Sequence, residues 1–298
     1  MRTTHYSDTA PMKELFDRTI RHAPTGNIGA PLLVRSSGRQ SGIVFKAAEY
    51  LVRCLVRRMA NEAGVEVRAG MLPAEARVRR AFNVPRCRPY LREWCDIVNE
   101  ARAVFKEFAD GGNVPQGRIL HACQSLARLE LLHQTENNSR FDPVRINPAI
   151  NGEVMAIWEN LDADWLLRPR SLAILHPTFP KAGALGTASA DLIVDGTLID
   201  VTAAVEPTFT RESLRLLVAK AAQAQLGGVL PKGDTPDPVT VDRIALLFMR
   251  QNRLMEFGID ELFGPDGWER YLDGFAELAG MERERDREME PDLMPMMG

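Results

Sequence analysis

Two aspartates nine residues apart, Asp191 and Asp200, stand in a stretch otherwise composed like a buried hairpin, ADLIVDGTLIDVTAA over residues 190–204. Asp195-Gly196 at its centre is a strong hairpin signal, because a type I′ turn needs positive φ at both central residues. With these two as the loop, Val194 faces Thr197, Ile193 faces Leu198, Leu192 faces Ile199, and Asp191 faces Asp200. The acid pair then falls at a non-hydrogen-bonded position, where opposed Cα atoms stand about 4.5 Å apart. Like charges so placed repel, and apolar neighbours make their desolvation costly. A divalent cation, a shared proton, or an arginine reaching in from the helical region would neutralise them. A three-residue loop would instead shift the register by one, and an edge position would screen the repulsion in solvent.

Alternation along the strands places Ser189, Asp191, Asp200 and Thr202 on one face, with Ser189 opposite Thr202 and the apolar Ile193 and Leu198 further along. Polar clusters at sheet ends are common places for sites. The next segment, TRESLRLLVAKAAQAQLGG, reads as a helix with Thr210 as N-cap and Gly227 as its stop. With Leu214, Leu217, Val218 and Ala221 facing the sheet, Lys220 lies about 120° from the centre of that stripe. Its stem can snorkel round to the carboxylates, or its ammonium can stay in water. Gln225 falls on the inward face, to contact a nucleic acid or cap the core, and Lys181 in the loop before the hairpin is a second candidate lysine. Glu49 with Arg53 and Arg57 at four-residue spacing reads as an exposed helical ion-pair ladder, with a metal-site carboxylate as the other reading of Glu49.

These residues need elements to hold them. Up to about residue 141 the pattern is helical: SGIVFKAAEYLVRCLVRRMANEAG, PYLREWCDIVNEARAVFKEFADGG and GRILHACQSLARLELLHQ each carry apolar residues three and four apart. TENNSRFDPVRINPAINGE, rich in Asn and Pro, reads as a loop at a boundary. Beyond about residue 170 the period becomes that of strands in SLAILHPTF, the hairpin, VDRIALLFMR and LMEFGID, with the helix after the hairpin and a terminal one through DGWERYLDGFAELAG. Strand, hairpin, helix, strand predicts an α/β fold with a mixed sheet flanked by helices, behind a largely helical N-terminal region. The boundaries expected are 1–150 for the helical region, contributing a first core helix at about 41–63, then 151–280 for the α/β part and terminal helix, and 281–298 for a disordered charged tail. GGVLPKGDTPDPVT reads as a mobile loop, and there is no internal repeat, GxGxxG or Walker loop.

At the hairpin the chain resembles the PD-(D/E)XK, or restriction-endonuclease-like, nuclease superfamily, in which one strand presents an acid and the next an acid-x-Lys, followed by a helix and a further strand. Asp191 and Asp200 match the two acids, and Glu49 the acid that members often carry on the first helix. The likeness covers about Leu172 to Asp260 and departs from the pattern at Thr202, which stands where the family has its lysine. The resemblance implies a restriction-endonuclease-like core and a Mg²⁺- or Mn²⁺-dependent phosphodiesterase acting on nucleic acid, DNA before RNA. It further implies Asp191, Asp200 and Glu49 as metal ligands, Lys220 as a relocated lysine and a setting in phage defence or DNA maintenance. Loss of the lysine's charge from position 202 would cost about 10²- to 10⁴-fold in rate unless Lys220 replaces it. The alternative is a catalytically inactive nuclease-fold protein serving as a DNA-binding or assembly subunit, with a protein partner or in a homo-oligomer.

Composition bounds these readings. The 298 residues are 45% hydrophobic, with no basic-then-apolar leader and no apolar run long enough for a membrane span, so a cytoplasmic globular protein is expected. Cys54, Cys87, Cys95 and Cys123 form no CxxC pair and read as buried free thiols rather than zinc ligands. Net charge is −3, which argues against a generally basic nucleic-acid binder. The basic residues concentrate instead in RAGMLPAEARVRRAFNVPRCRPYLR, where Arg77, Arg79, Arg80, Arg86 and Arg88 are candidate phosphate contacts. A solvated face paired with acids elsewhere is the other reading of that segment.

Overall fold

The computed structural model of the chain describes residues 6–38, 41–131, 147–180, 188–230 and 236–280. The expected tail over 281–298, Lys181 and the centre of the GGVLPKGDTPDPVT loop lie outside the described residues. In chain order the helical region contributes α1 (Ala10–Thr19), α2 (Ser41–Ala63), α3 (Pro73–Ala81), α4 (Leu91–Ala109), α5 (Gln116–Glu130), α6 (Pro148–Asn160) and α7 (Ala163–Leu167), interrupted by the strands β1 (Gly26–Asn27) and β2 (Glu66–Ala69). There follow β3 (Leu172–Leu175), β4 (Leu192–Val194), β5 (Thr197–Thr202), β6 (Thr208–Phe209), α8 (Arg211–Gly227), β7 (Arg243–Phe248), β8 (Arg253–Gly258), α9 (Ile259–Phe263) and α10 (Gly267–Ala279). Among the described residues no helix is long and apolar enough to cross a membrane.

The centre is a six-stranded mixed sheet in the order β2-β3-β4-β5-β7-β8. β3, β4 and β5 form an antiparallel meander, β7 lies parallel to β5 after a crossover through α8, and β8 returns antiparallel. Period-two alternation sorts the strands into two buried faces. Leu175, Leu192, Val194, Ile199, Val201 and Leu247 pack against α2 and α4–α6, while Ile174, Ile193, Leu198, Ile244 and Phe248 pack against α1, α8 and α10. The fold is therefore a mixed sheet flanked by helices on both faces, as the alternation of periods predicts.

Two elements depart from the sequence reading. β2 is a strand inside the stretch read as helical; it adds to the sheet edge parallel to β3, with Val67 opposite Ala173. The end of the Asn/Pro-rich stretch read as loop, from Pro148 to Glu153, opens α6, while residues 132–146 lie outside the described residues. The same residue types serve both purposes: Asn147 caps the helix by accepting from the amide of Ala149, and Pro148 takes the first-turn position where a missing N–H costs nothing. Of the four cysteines, Cys54 and Cys123 are buried as expected, Cys87 and Cys95 only partly; all four are free thiols.

The hairpin turn forms as read. Asp195 has φ 48 and Gly196 φ 83, and Leu192 pairs with Ile199, Ile193 with Leu198 and Val194 with Thr197. Asp195 also accepts from the amides of Arg170, Ser171 and Leu172 at 2.8–3.0 Å, binding the turn to the start of β3. A Cβ at position 196 would stand 2.7 Å from Oδ1 of Asp242 in addition to the left-handed strain. Gly196→Ala is expected to cost about 1–2 kcal/mol or more, read as a lower urea midpoint at unchanged m-value.

Candidate functional site

Beyond Leu192 and Ile199 the hairpin does not continue. β5 stays with β7 as far as Thr202, opposite Phe248, whereas the chain entering β4 leaves β5 and follows the continuation of β3. His176, at φ 52, turns that continuation, and its N–H donates to the carbonyl of Asp191 at 3.0 Å. The amide of Ala190 donates to Pro177, that of Phe179 to Ala188, and Thr178 bridges Ser189. The sheet thus forks between β4 and β5, with Asp191 and Asp200 at the junction. The N–H of Val201, which in a continued hairpin would meet the carbonyl of Ala190, donates instead to Oδ2 of Asp191 at 2.9 Å. A carboxylate takes the place of the missing ladder bond.

The fork corrects two expectations: the β4–β5 ladder ends at Leu192 and Ile199, so Asp191 and Asp200 are neighbours at the junction and not a cross-strand pair, and Ser189 pairs with Thr178, not Thr202. Thr202 Oγ1 accepts from the amide of Ala204 at 3.2 Å, and the residue does not line the cleft into which both acids open. A hydroxyl at the end of β5 closes its own turn.

The acids are met by cations from the two helical layers. Arg53, on α2, pairs through Nη2 with Oδ1 of Asp191 and lies 3.5 Å from Oε2 of Glu49. Lys46, one turn before Glu49, bridges Glu49 at 2.9 Å and Glu130 at 3.0 Å, and the Tyr50 hydroxyl donates to Glu130 at 3.1 Å. From the opposite face Lys220, on α8, pairs with Oδ2 of Asp200. Glu49 and Arg53 are 2% and 6% exposed, so the exposed ladder expected at this spacing is instead a buried ion pair; α2 is covered on the sides that carry them. Lys220 also departs from the picture of a solvated lysine. α8 packs alanines 219, 221, 222 and 224 at zero exposure, which brings the helix close enough for the lysine stem to run inward. Gln225 is exposed and accepts from the Trp268 indole at 3.1 Å, while Gln223 is the inward amide, donating to Pro180 at 2.7 Å.

Burial and these partners push the acids apart in acidity. Burial, reinforced by the charge of Asp191, raises Glu49 to about 8 against the pull of Arg53 and Lys46. Burial also raises Asp200, which Lys220 opposes and Asp191 reinforces. At Asp191 burial acts in the same direction but is outweighed by Arg53, Lys220, Lys46 and the Val201 amide, which hold this carboxyl below its ordinary value. Burial and the neighbouring Arg53 drive His176 down to about 3, leaving it neutral at working pH. Glu49 raised above its ordinary value beside an Asp191 held below it is the kind of separation that acid–base chemistry uses.

The cluster forms the floor of a cleft of about 1190 Å³. Seven cationic side chains line it, Lys46, Arg53, Arg77, Arg79, Arg80, Arg102 and Lys220, against five acidic ones, Glu49, Glu75, Glu130, Asp191 and Asp200, an excess that suits a polyanion. Arg77, Arg79 and Arg80 are therefore in the wall, through α3. Arg88 is exposed on the 3₁₀ turn Pro85–Tyr90 and is not part of the lining, and the side chain of Arg86 lies outside the described residues. Sequence reasoning missed Lys46, Arg102, Glu130 and His176. Lys46 was signalled by its three-residue spacing from Glu49; Glu130, eighty residues from Tyr50, left no local signal. Among the described residues no group of three His, Cys, Asp or Glu stands ready to hold a metal. Yet Oδ1 of Asp200 is buried without a hydrogen-bond partner, an unsatisfied acceptor. No family model, curated protein or solved structure matches the chain.

Two outcomes follow for stability. Lys220→Met should cost about 3–5 kcal/mol by leaving Asp200 buried without its counter-charge, and adding Asp200→Asn should recover much of that loss in a double-mutant cycle read by urea denaturation. Glu49 gains its proton affinity on folding, so its contribution is full below about 4.5 and is lost as pH rises toward about 8. His176 acts oppositely, costing stability as pH falls from 6.5 toward about 3. Between pH 6.5 and 8 the wild type should therefore lose stability with a slope of at most about 1.4 kcal/mol per pH unit that Glu49→Gln flattens, measured by denaturation at stepped pH.

Proposed function

We propose that the chain is a divalent-metal-dependent nucleic-acid phosphodiesterase of PD-(D/E)XK type in which the lysine has moved from strand position 202 to Lys220. The observation that carries this reading is the Lys220 ammonium resting on Asp200 at the fork, beside Asp191. Support comes also from the order of elements: α2 carries Glu49, the meander β3–β4–β5 carries both aspartates, α8 carries Lys220, and β7 runs parallel to β5. That order supports a restriction-endonuclease-like core.

In this reading Lys220 holds Asp200 oriented and places a positive charge where negative charge grows on the scissile phosphate. Arg77, Arg79 and Arg80 on the cleft wall hold the backbone phosphates, and DNA is the polymer proposed. Mg²⁺ or Mn²⁺ would be held by Asp200, through its unpartnered oxygen, with Asp191 and Glu49, and would supply a Lewis acid and a more acidic water. Glu49 must release its proton to serve as a ligand, so metal binding should be weaker below about pH 8.

A second reading is a cleavage-incompetent DNA-binding or assembly subunit. It is favoured by one observation: both oxygens of Asp191 are already engaged, Oδ1 by Arg53 and Oδ2 by the Val201 amide.

The readings separate in a cleavage assay on single- and double-stranded DNA and RNA with Mg²⁺ or Mn²⁺. Under the first, wild type cleaves, Asp200→Ala and Lys220→Ala each lose about 10²- to 10⁴-fold, and Thr202→Lys partly rescues Lys220→Ala. Cleavage by Thr202→Lys alone would favour the second, and silence in every variant with no calorimetric metal binding would overturn the first.

A further inference from the structure

We propose that the arginine wall of the cleft runs on into a stacking surface for unpaired bases, so that the polymer bound is single-stranded nucleic acid or a single-stranded end. The inference rests on the phosphodiesterase reading for its connection to the acids, but its test is one of binding. Residues 73–92 carry six arginines against Glu75 alone. α3 lines the cleft through Arg77, Arg79 and Arg80, and ends at Ala81. The next residue, Phe82, is 53% exposed, and Tyr90, on the turn that follows, is 51% exposed.

An exposed aromatic side chain is unremarkable singly, but here two fall in one short, strongly cationic segment. Tyr90 is also held in place. Its ring stacks on Trp94 at 5.8 Å between centroids with 14° between planes, and Trp94 is 7% exposed. One face of the tyrosine is thus fixed by a buried indole, leaving a rigid ring at the surface. Arg79 and Arg102 share Glu75, whereas Arg77 and Arg80 make no ion pair among the described residues and remain open to phosphate. Arginines alone would serve a duplex, whose base faces are hidden in the stack. Neither ring lines the cleft itself, but open cations and outward rings within one short segment match a strand that offers phosphates and bare bases together.

The test is binding of the full chain to fluorescent oligonucleotides in EDTA, using a single strand, its duplex, and a single strand lacking bases. Wild type should prefer the single strand. Phe82→Ala with Tyr90→Ala should weaken that binding about 10- to 100-fold and leave the abasic strand unaffected. Arg77→Ala with Arg80→Ala should weaken both and lower the salt slope by about 1.4. Circular dichroism checks that the variants fold. Equal or tighter duplex binding, an aromatic double variant that binds like wild type, or loss only of self-association in sedimentation would overturn the proposal. Single-strand binding by a chain that never cleaves would uphold it and sink the phosphodiesterase reading; duplex cleavage with no single-strand preference would do the reverse.

Discussion

The molecule is organised around a repulsion that it does not remove but divides. Asp191 and Asp200 come together where the sheet forks, and each is satisfied from a different helical layer: Asp191 by Arg53 of α2, Asp200 by Lys220 of α8. Separate cations on opposite faces allow two buried carboxylates to be neighbours without a shared proton. That arrangement requires the two layers to be clamped to the sheet, and the apolar alternation of β4 and β5 does this. Leu192, Val194 and Ile199 serve one layer, Ile193 and Leu198 the other.

The fork also answers an accounting problem. Where β4 and β5 part, backbone groups lose their ladder partners, and buried ones must find others. The Asp191 carbonyl accepts from His176 and the Asp191 carboxylate from Val201, so the acid serves the backbone and the cluster together. Further along, buried Arg250 donates to the carbonyl of Ala203 at 2.7 Å and pairs with Glu153 of α6, anchoring the chain that leaves β5. The two sides of the opening are thus held apart by directed bonds.

Electrostatically, the cluster carries unequal acids in one small volume. Glu49 sits far above its ordinary range for want of solvent, while Asp191 stays ionised because three cations and an amide converge on it. The cleft above is bordered by α3, where Arg77, Arg79 and Arg80 stand, and by Arg102. A floor of paired charge under a cationic wall is a surface for a polyanion, and Oδ1 of Asp200 is a buried oxygen of that floor with no hydrogen-bond partner.

What the sequence determined by itself was local: the DG turn and hence the register of β4 on β5 from Val194–Thr197 to Leu192–Ile199, the helical cap at Thr210, the strand periods and the α/β layering. Each depends on φ preferences or on alternation within one segment, and those are written in consecutive residues. The tertiary structure alone decided which charges meet. Helical spacing put Glu49 and Arg53 on one ladder but could not tell that α2 would be covered there, and the Lys220 stripe angle could not register how closely an alanine-rich helix approaches β5. Glu130 and His176 reach the cluster from elements far off in the chain, and β2 became a strand only because β3 offered it an edge. Partners that long-range packing chooses leave no period in the sequence, because the energy that selects them exists only once the layers have closed.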